Sequence, residues 1–123
     1  MAALIREIST QTIPNTSYTL DFSEISMKDV ARVGGKNASL GQMFNSLKPL
    51  GVNVLDGFAT TADAYRQLLA VDHLEEKLRR IFANLDYENV NDLTLRGAQA
   101  RDAVLNTPLP LAFRSGIVDA YNR

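Results

Sequence analysis

Directly after the adjacent glycines Gly34 and Gly35, the residues Leu40, Met43, Phe44, Leu47 and Leu50 recur at helical spacing. That period predicts an amphipathic helix from about residue 36 to 47, and it obliges the rest of the chain to cover the apolar side. Pro49 and Gly51 end the pattern. The same period returns in the second half, in Leu74, Leu78, Ile81, Phe82 and Leu85, then in Leu93, Gly97, Ala100 and Val104, and last in Phe113, Ile117 and Tyr121. Asn89 or Asn91 suits the start of the middle helix, Thr107-Pro108 its stop, and Pro110 the first turn of the last helix. Phe44, Leu47, Leu78, Ile81 and Phe82 are assigned to one core, so that Phe82→Ala would cost about 3 to 5 kcal/mol.

Strand patterns are short. Tyr18, Leu20 and Phe22 alternate with Thr19 and Asp21, and Val52, Val54 and Phe58 alternate around Asn53 and Gly57 before Ala59-Thr60-Thr61. The Thr61 hydroxyl is placed to accept the N–H of Asp63 or Ala64 at the start of a following helix. Two short strands and about five helices make the expected fold α+β and mostly helical. At 123 residues the chain supports one hydrophobic core. Residues 1 to 17, rich in Ser, Thr and Asn, are expected to be a flexible lead-in, with the domain running from 18 to 123.

Composition narrows the chemistry. With no Cys and one His, disulfides, zinc knuckles, iron–sulfur ligation and thiol nucleophiles are excluded. A net charge of −1 gives no whole-chain attraction to nucleic acid or to an anionic membrane. The apolar run Ala2-Ala3-Leu4-Ile5 is too short for a signal-peptide core or a membrane span, and the chain reads as cytoplasmic.

The segment Val33-Gly34-Gly35-Lys36-Asn37 is the most informative chemically. Glycines there let the backbone turn sharply into a helix whose first amides have no internal partners, and Lys36 adds a cation at the same end. A phosphate at such an end receives N–H bonds and a charge-assisted bond together. The segment is not a standard P-loop, which needs Gly at 30 and Ser or Thr at 37 where this chain has Val30 and Asn37, and the dinucleotide G-x-G-x-x-G pattern is absent. On the residues alone an ordinary loop with a helix cap and a phosphate site both stand.

Val33 to Met43, followed by Gly51-Val52-Asn53-Val54 and then by Asp56 to Tyr65, resembles the start of the phosphoenolpyruvate synthase family, the pyruvate, water dikinases, in order and spacing. Pyruvate phosphate dikinase and rifampicin phosphotransferase share the first block more loosely. The resemblance runs from about Tyr18 to the end. It implies the amino-terminal portion of an ATP-grasp-type nucleotide-binding domain in a gluconeogenic phosphotransferase. Such an enzyme converts ATP, pyruvate and water to AMP, phosphoenolpyruvate and phosphate through a phosphohistidine. ATP and Mg2+ are the implied ligands. Lys36 matches the family's nucleotide contact, with Gly34 and Gly35 shaping the turn beside it. No residue of this chain is assigned a catalytic or metal-binding role.

The chain departs from the family in two ways. Leu55 stands where the family usually has Pro, and the family's next nucleotide motif is expected shortly beyond Arg123. His73, between Asp72 and Leu74, lacks the surroundings of a phosphohistidine and reads as an exposed helix-end residue. Glu75 with Arg79 and Glu76 with Arg80 have the spacing of solvated ion pairs rather than of magnesium ligands, and Asp86 and Glu88 read as surface too. The isolated chain is expected to be inactive, with weak ATP binding and the remaining domains of a larger enzyme as its partners. The rival reading is a non-catalytic helical interaction module built on the same framework.

Overall fold

A computed structural model describes residues 17–123, so the lead-in expected over residues 1 to 17 lies, Ser17 apart, outside the described residues. The order is β1 (Thr19–Asp21), α1 (Val30–Leu47), β2 (Phe58–Thr60), α2 (Ala62–Ala70), α3 (Leu74–Phe82), α4 (Val90–Leu105) and α5 (Leu111–Tyr121), with short 3-10 turns between several of them. The chain is α+β and mostly helical, as its periodicity predicts. β1 and β2 pair antiparallel with Leu20 opposite Ala59, and both of those side chains are buried. Two strands this short are not stable alone, so the sheet depends on the helices that cover it. α5 packs on both strands and brings the Phe113 ring to 6.2 Å from that of Tyr18.

Thr61 ties the sheet to α2. It is the buried polar residue among those described, and its hydroxyl accepts the Ala64 N–H at 3.3 Å while donating to the Ser17 carbonyl at 3.0 Å. Both demands of a buried hydroxyl are therefore met. Asn89, rather than Asn91, caps α4 by accepting the Asp92 N–H at 3.1 Å.

The principal core is Leu20, Ile25, Val33, Ala38 and Ala59, with Phe22 against it. α1 reaches this core through a break. It starts at Val30, earlier than the expected residue 36, and is interrupted at Gly34, whose φ of 80° and ψ of 162° only glycine adopts readily. In an unbroken helix Val33 and Ala38 would point about 140° apart. The interruption resets the phase, and both are buried. Ala38, Gly41 and Phe44 then continue down one face. Ile25 is fully buried against that face, and a Cβ at Gly41 would lie 2.5 Å from the Ile25 Cβ. The Asn45 amide locks the approach by donating to the carbonyls of Phe22, Ile25 and Gly41 at 2.9 to 3.0 Å.

Three further expectations need correction. The second strand is only Phe58–Thr60, and Val52 and Val54 precede it in irregular backbone. Leu50 and Met43 are exposed and do not extend the buried face of α1. Phe82 is 43% exposed, so the proposed single core divides: Phe44 is buried on α1, whereas Leu78 and Ile81 are half-buried on α3, which packs chiefly against α2 and α4. Phe82→Ala should accordingly cost less than about 2 kcal/mol in a urea titration, well under the full-burial figure.

α3 and α4 are held together by Arg96. From α4 its guanidinium donates to the carbonyls of Ile81 at 2.6 Å and Ala83 at 2.8 Å, closing the end of α3, while Asp92 accepts from its Nε at 3.0 Å. The Asp92 carboxyl titrates below the ordinary carboxylate value, first because the Asp86 N–H donates to it and then because Arg96 does.

Candidate nucleotide phosphate site

Residues Gly34, Gly35 and Lys36 lie together and exposed where α1 restarts after its break. The two glycines serve different needs. Gly34 is required by its backbone angles, since a Cβ there would meet nothing within 4 Å yet its φ is 80°. Gly35 has neither constraint: its φ is ordinary and a Cβ would again meet nothing within 4 Å. A helical glycine costs roughly 0.5 to 1 kcal/mol relative to alanine, so neither a positive φ nor contact with another element of the fold accounts for Gly35. Open space over a helix start is what a phosphate approaching the backbone requires.

Among the described residues no carboxylate pairs with Lys36. Its ammonium is available to an outside anion. One residue further, Asn37 Nδ2 donates to the Val33 carbonyl at 2.9 Å, across the break.

The turn before the break is fixed by Ser26 and Asp29. The Asp29 carboxylate accepts from the Ser26 N–H at 2.9 Å, from the Ser26 hydroxyl at 3.1 Å and from Arg32 at 3.2 Å. The Ser26 N–H is the main reason the Asp29 carboxyl titrates below the usual carboxylate value, and Arg32 adds to it. A lowered folded pKa stabilises the native state above the unfolded value and loses that contribution as pH falls through the folded one. Acidification below the ordinary carboxylate range should therefore loosen the start of α1 in the parent chain. In the Asp29→Asn variant that acid response should vanish, as followed by the amide shifts of Val30 to Val33.

The other candidates fall where the sequence puts them. His73 is exposed at the start of α3 with a left-handed φ of 57°, and its Nδ1 is 3.7 Å from Glu76. Glu75–Arg79 and Glu76–Arg80 pair at 2.7 and 3.4 Å on an open helix face. Asp86 accepts the Glu88 N–H at 3.1 Å within a turn. Leu55 is 85% exposed, and the turn after it is closed without proline: Asp56 accepts the Gly57 N–H at 2.8 Å and faces Lys48 at 3.9 Å.

Two cavities open away from the glycine segment. One, of about 640 Å³, lies between the sheet and the end of α5 and includes Asp21, Asp56 and Arg123. The other, of about 420 Å³, is an apolar groove between α2, α3 and α4 beside Tyr65, Phe82 and Leu105. Neither is lined by Gly34, Gly35 or Lys36, and all three of these residues are exposed, so the phosphate candidate lies on open surface. Among the described residues no three of His, Asp and Glu converge on a metal position, and no helix is long and apolar enough to cross a membrane.

Residues 30–123 match the family described as pyruvate phosphate dikinase, AMP/ATP-binding domain. The chain belongs to that family. The match begins at the first residue of α1 and contains the break with its two glycines and Lys36. Phosphoenolpyruvate synthase of Synechocystis is 46% identical over 106 residues, which is 86% of this chain and 13% of that protein. The enzymes of the same name from Neisseria meningitidis and Escherichia coli are 45% and 40% identical, each over 87% of this chain and 14% of its own length. The chain therefore spans about a seventh or less of these relatives.

Arg96, Asn45 and Ile25 were not among the expected site or core residues. Their roles depend on contacts between distant parts of the chain, which no local spacing signals.

Proposed function

We propose that residues 18 to 123 form the amino-terminal portion of an ATP-grasp-type nucleotide-binding domain in a phosphoenolpyruvate synthase-like cytosolic enzyme, and that they supply part of its ATP phosphate site. The observation that carries this reading is Gly35, an unconstrained helical glycine under open space beside the exposed cation of Lys36. The residues fit a phosphate: the renewed helix start offers outward N–H groups and Lys36 a charge-assisted bond. Among the described residues no group of three His, Asp or Glu converges as a metal site, and no step is assigned to a metal here.

Part of a site does not make a catalyst. Conversion of ATP, pyruvate and water to AMP, phosphoenolpyruvate and phosphate needs several charged groups around the transferred phosphoryl, and one lysine does not provide them. The 123-residue chain, freed of host enzyme, should give no phosphoenolpyruvate above background in a coupled assay. Product formation would overturn this assignment of roles.

Gly35→Ala tests the site itself. The variant should fold as well as the parent or better, gaining about 0.5 to 1 kcal/mol in helix stability, yet its amides should respond more weakly to pyrophosphate. Equal stability with undiminished pyrophosphate response would remove the ligand explanation for the glycine. The interaction-module reading draws on the apolar groove beside Tyr65, Phe82 and Leu105, and it becomes the better one if neither ATP nor pyrophosphate perturbs Gly34 to Ala38.

A further inference from the structure

We propose that Asn37 is a positioning residue for the phosphate site, one that holds the break in α1 in its binding geometry; this rests on the phosphate reading of Gly34 to Lys36. Glycine permits the conformation found at Gly34 but does not enforce it, because it visits many others at similar cost. A site built on two adjacent glycines therefore needs a restraint from elsewhere, or its amides spend most of their time out of register and ordering them opposes binding.

Burial of Val33 and Ala38 fixes the chain on each side of the break. Between them, a side-chain tie crosses it: the 2.9 Å bond from Asn37 Nδ2 to the Val33 carbonyl. It spans Gly34, Gly35 and Lys36 and limits rotation at both glycines. It also engages the carbonyl oxygen immediately upstream of the break, an atom whose partial negative charge would otherwise oppose an anion at the helix start.

The residue type suits this task. Asparagine is short enough to bond four residues back, donates rather than only accepts, and carries no charge against a phosphate. Aspartate has the same size but no donor and a negative charge. Serine keeps a hydroxyl donor able to bond four residues back.

The test compares Asn37→Ala, Asn37→Asp and Asn37→Ser in the full chain, using 15N relaxation and titration with inorganic pyrophosphate. In Asn37→Ala the order parameters of Gly34, Gly35 and Lys36 should fall from the rigid level of about 0.85 towards about 0.6, while that of Phe44 stays unchanged. Pyrophosphate affinity should drop roughly tenfold, the effect of one lost hydrogen bond. Asn37→Asp should show the same loss of order, which keeps the test available if the alanine variant does not fold. Asn37→Ser should restore both order and affinity to within about threefold of the parent. Unchanged order at Gly34 to Lys36 in both the alanine and aspartate variants would overturn the proposal. If order falls but the parent itself never responds to pyrophosphate, the phosphate reading fails and the positioning role fails with it, while the tie across the break survives as a structural bond only.

Discussion

Gly41→Ala is expected to destabilise the protein by about 3 kcal/mol, lowering Tm by roughly 10 °C or more. The added Cβ would sit 2.5 Å from the Ile25 Cβ and 2.7 Å from the Ile25 carbonyl oxygen. Neither atom is the free end of a flexible side chain, so no change of rotamer relieves the contact. Backbone must move, and the same backbone is bound through its carbonyl to Asn45 at 2.9 Å. Alanine's better helix propensity returns only about 1 kcal/mol. Gly35→Ala is the internal control, since it places the same methyl in the same helix where nothing lies within 4 Å. The two variants should thus shift the melting curve in opposite directions. A Gly41→Ala melt within about 2 °C of the parent would mean that Ile25 does not seat against α1.

That contrast shows where sequence reasoning reaches and where it stops. Thr61 and Asn89 were legible as caps because a cap is a contact within three residues, written in the local order of residue types. The Glu–Arg pairs of α3 were legible for the same reason. Gly34-Gly35-Lys36 were legible as a candidate site because their types alone set the backbone freedom and the charge. The burial of Ile25 was not, because it follows from α1 folding back over a polar-looking connection and from a glycine whose partner lies far away in sequence. Phe82 misled for a geometric reason. Leu74, Leu78 and Ile81 fall within about 60° of one another on α3, but Phe82 is about 80° round from Leu74, at the edge of the stripe. Hydrophobic type placed it inside, whereas helix phase leaves it beside the groove with Tyr65 and Leu105. The helix start was misplaced because paired glycines read as a boundary, while the chain forms one helical turn before them and restarts after.

Lys36→Ala should abolish whatever phosphate response the chain has, without changing its stability. Lys36 is exposed and makes no ion pair among the described residues, so removing it leaves no buried partner unsatisfied and no cavity behind. Its loss is felt only by an incoming anion. The chain makes few contacts to a nucleotide on so open a surface, so affinity for ATP or pyrophosphate should be on the order of millimolar even in the parent. A charge-assisted bond contributes about 1.5 to 3 kcal/mol, which at that affinity is the difference between a measurable and an unmeasurable site. In the parent, ATP should shift the amides of Gly34 to Ala38; in Lys36→Ala those shifts should disappear, with Tm unchanged. Lys77→Ala is the matched control, because Lys77 is an exposed lysine of α3, away from the break. It removes the same charge from the whole molecule and should leave the response intact, which separates a local phosphate contact from general attraction of an anion to a cationic surface. If both variants respond like the parent, Lys36 is not a phosphate ligand, and the response must come from the backbone amides of the segment without it.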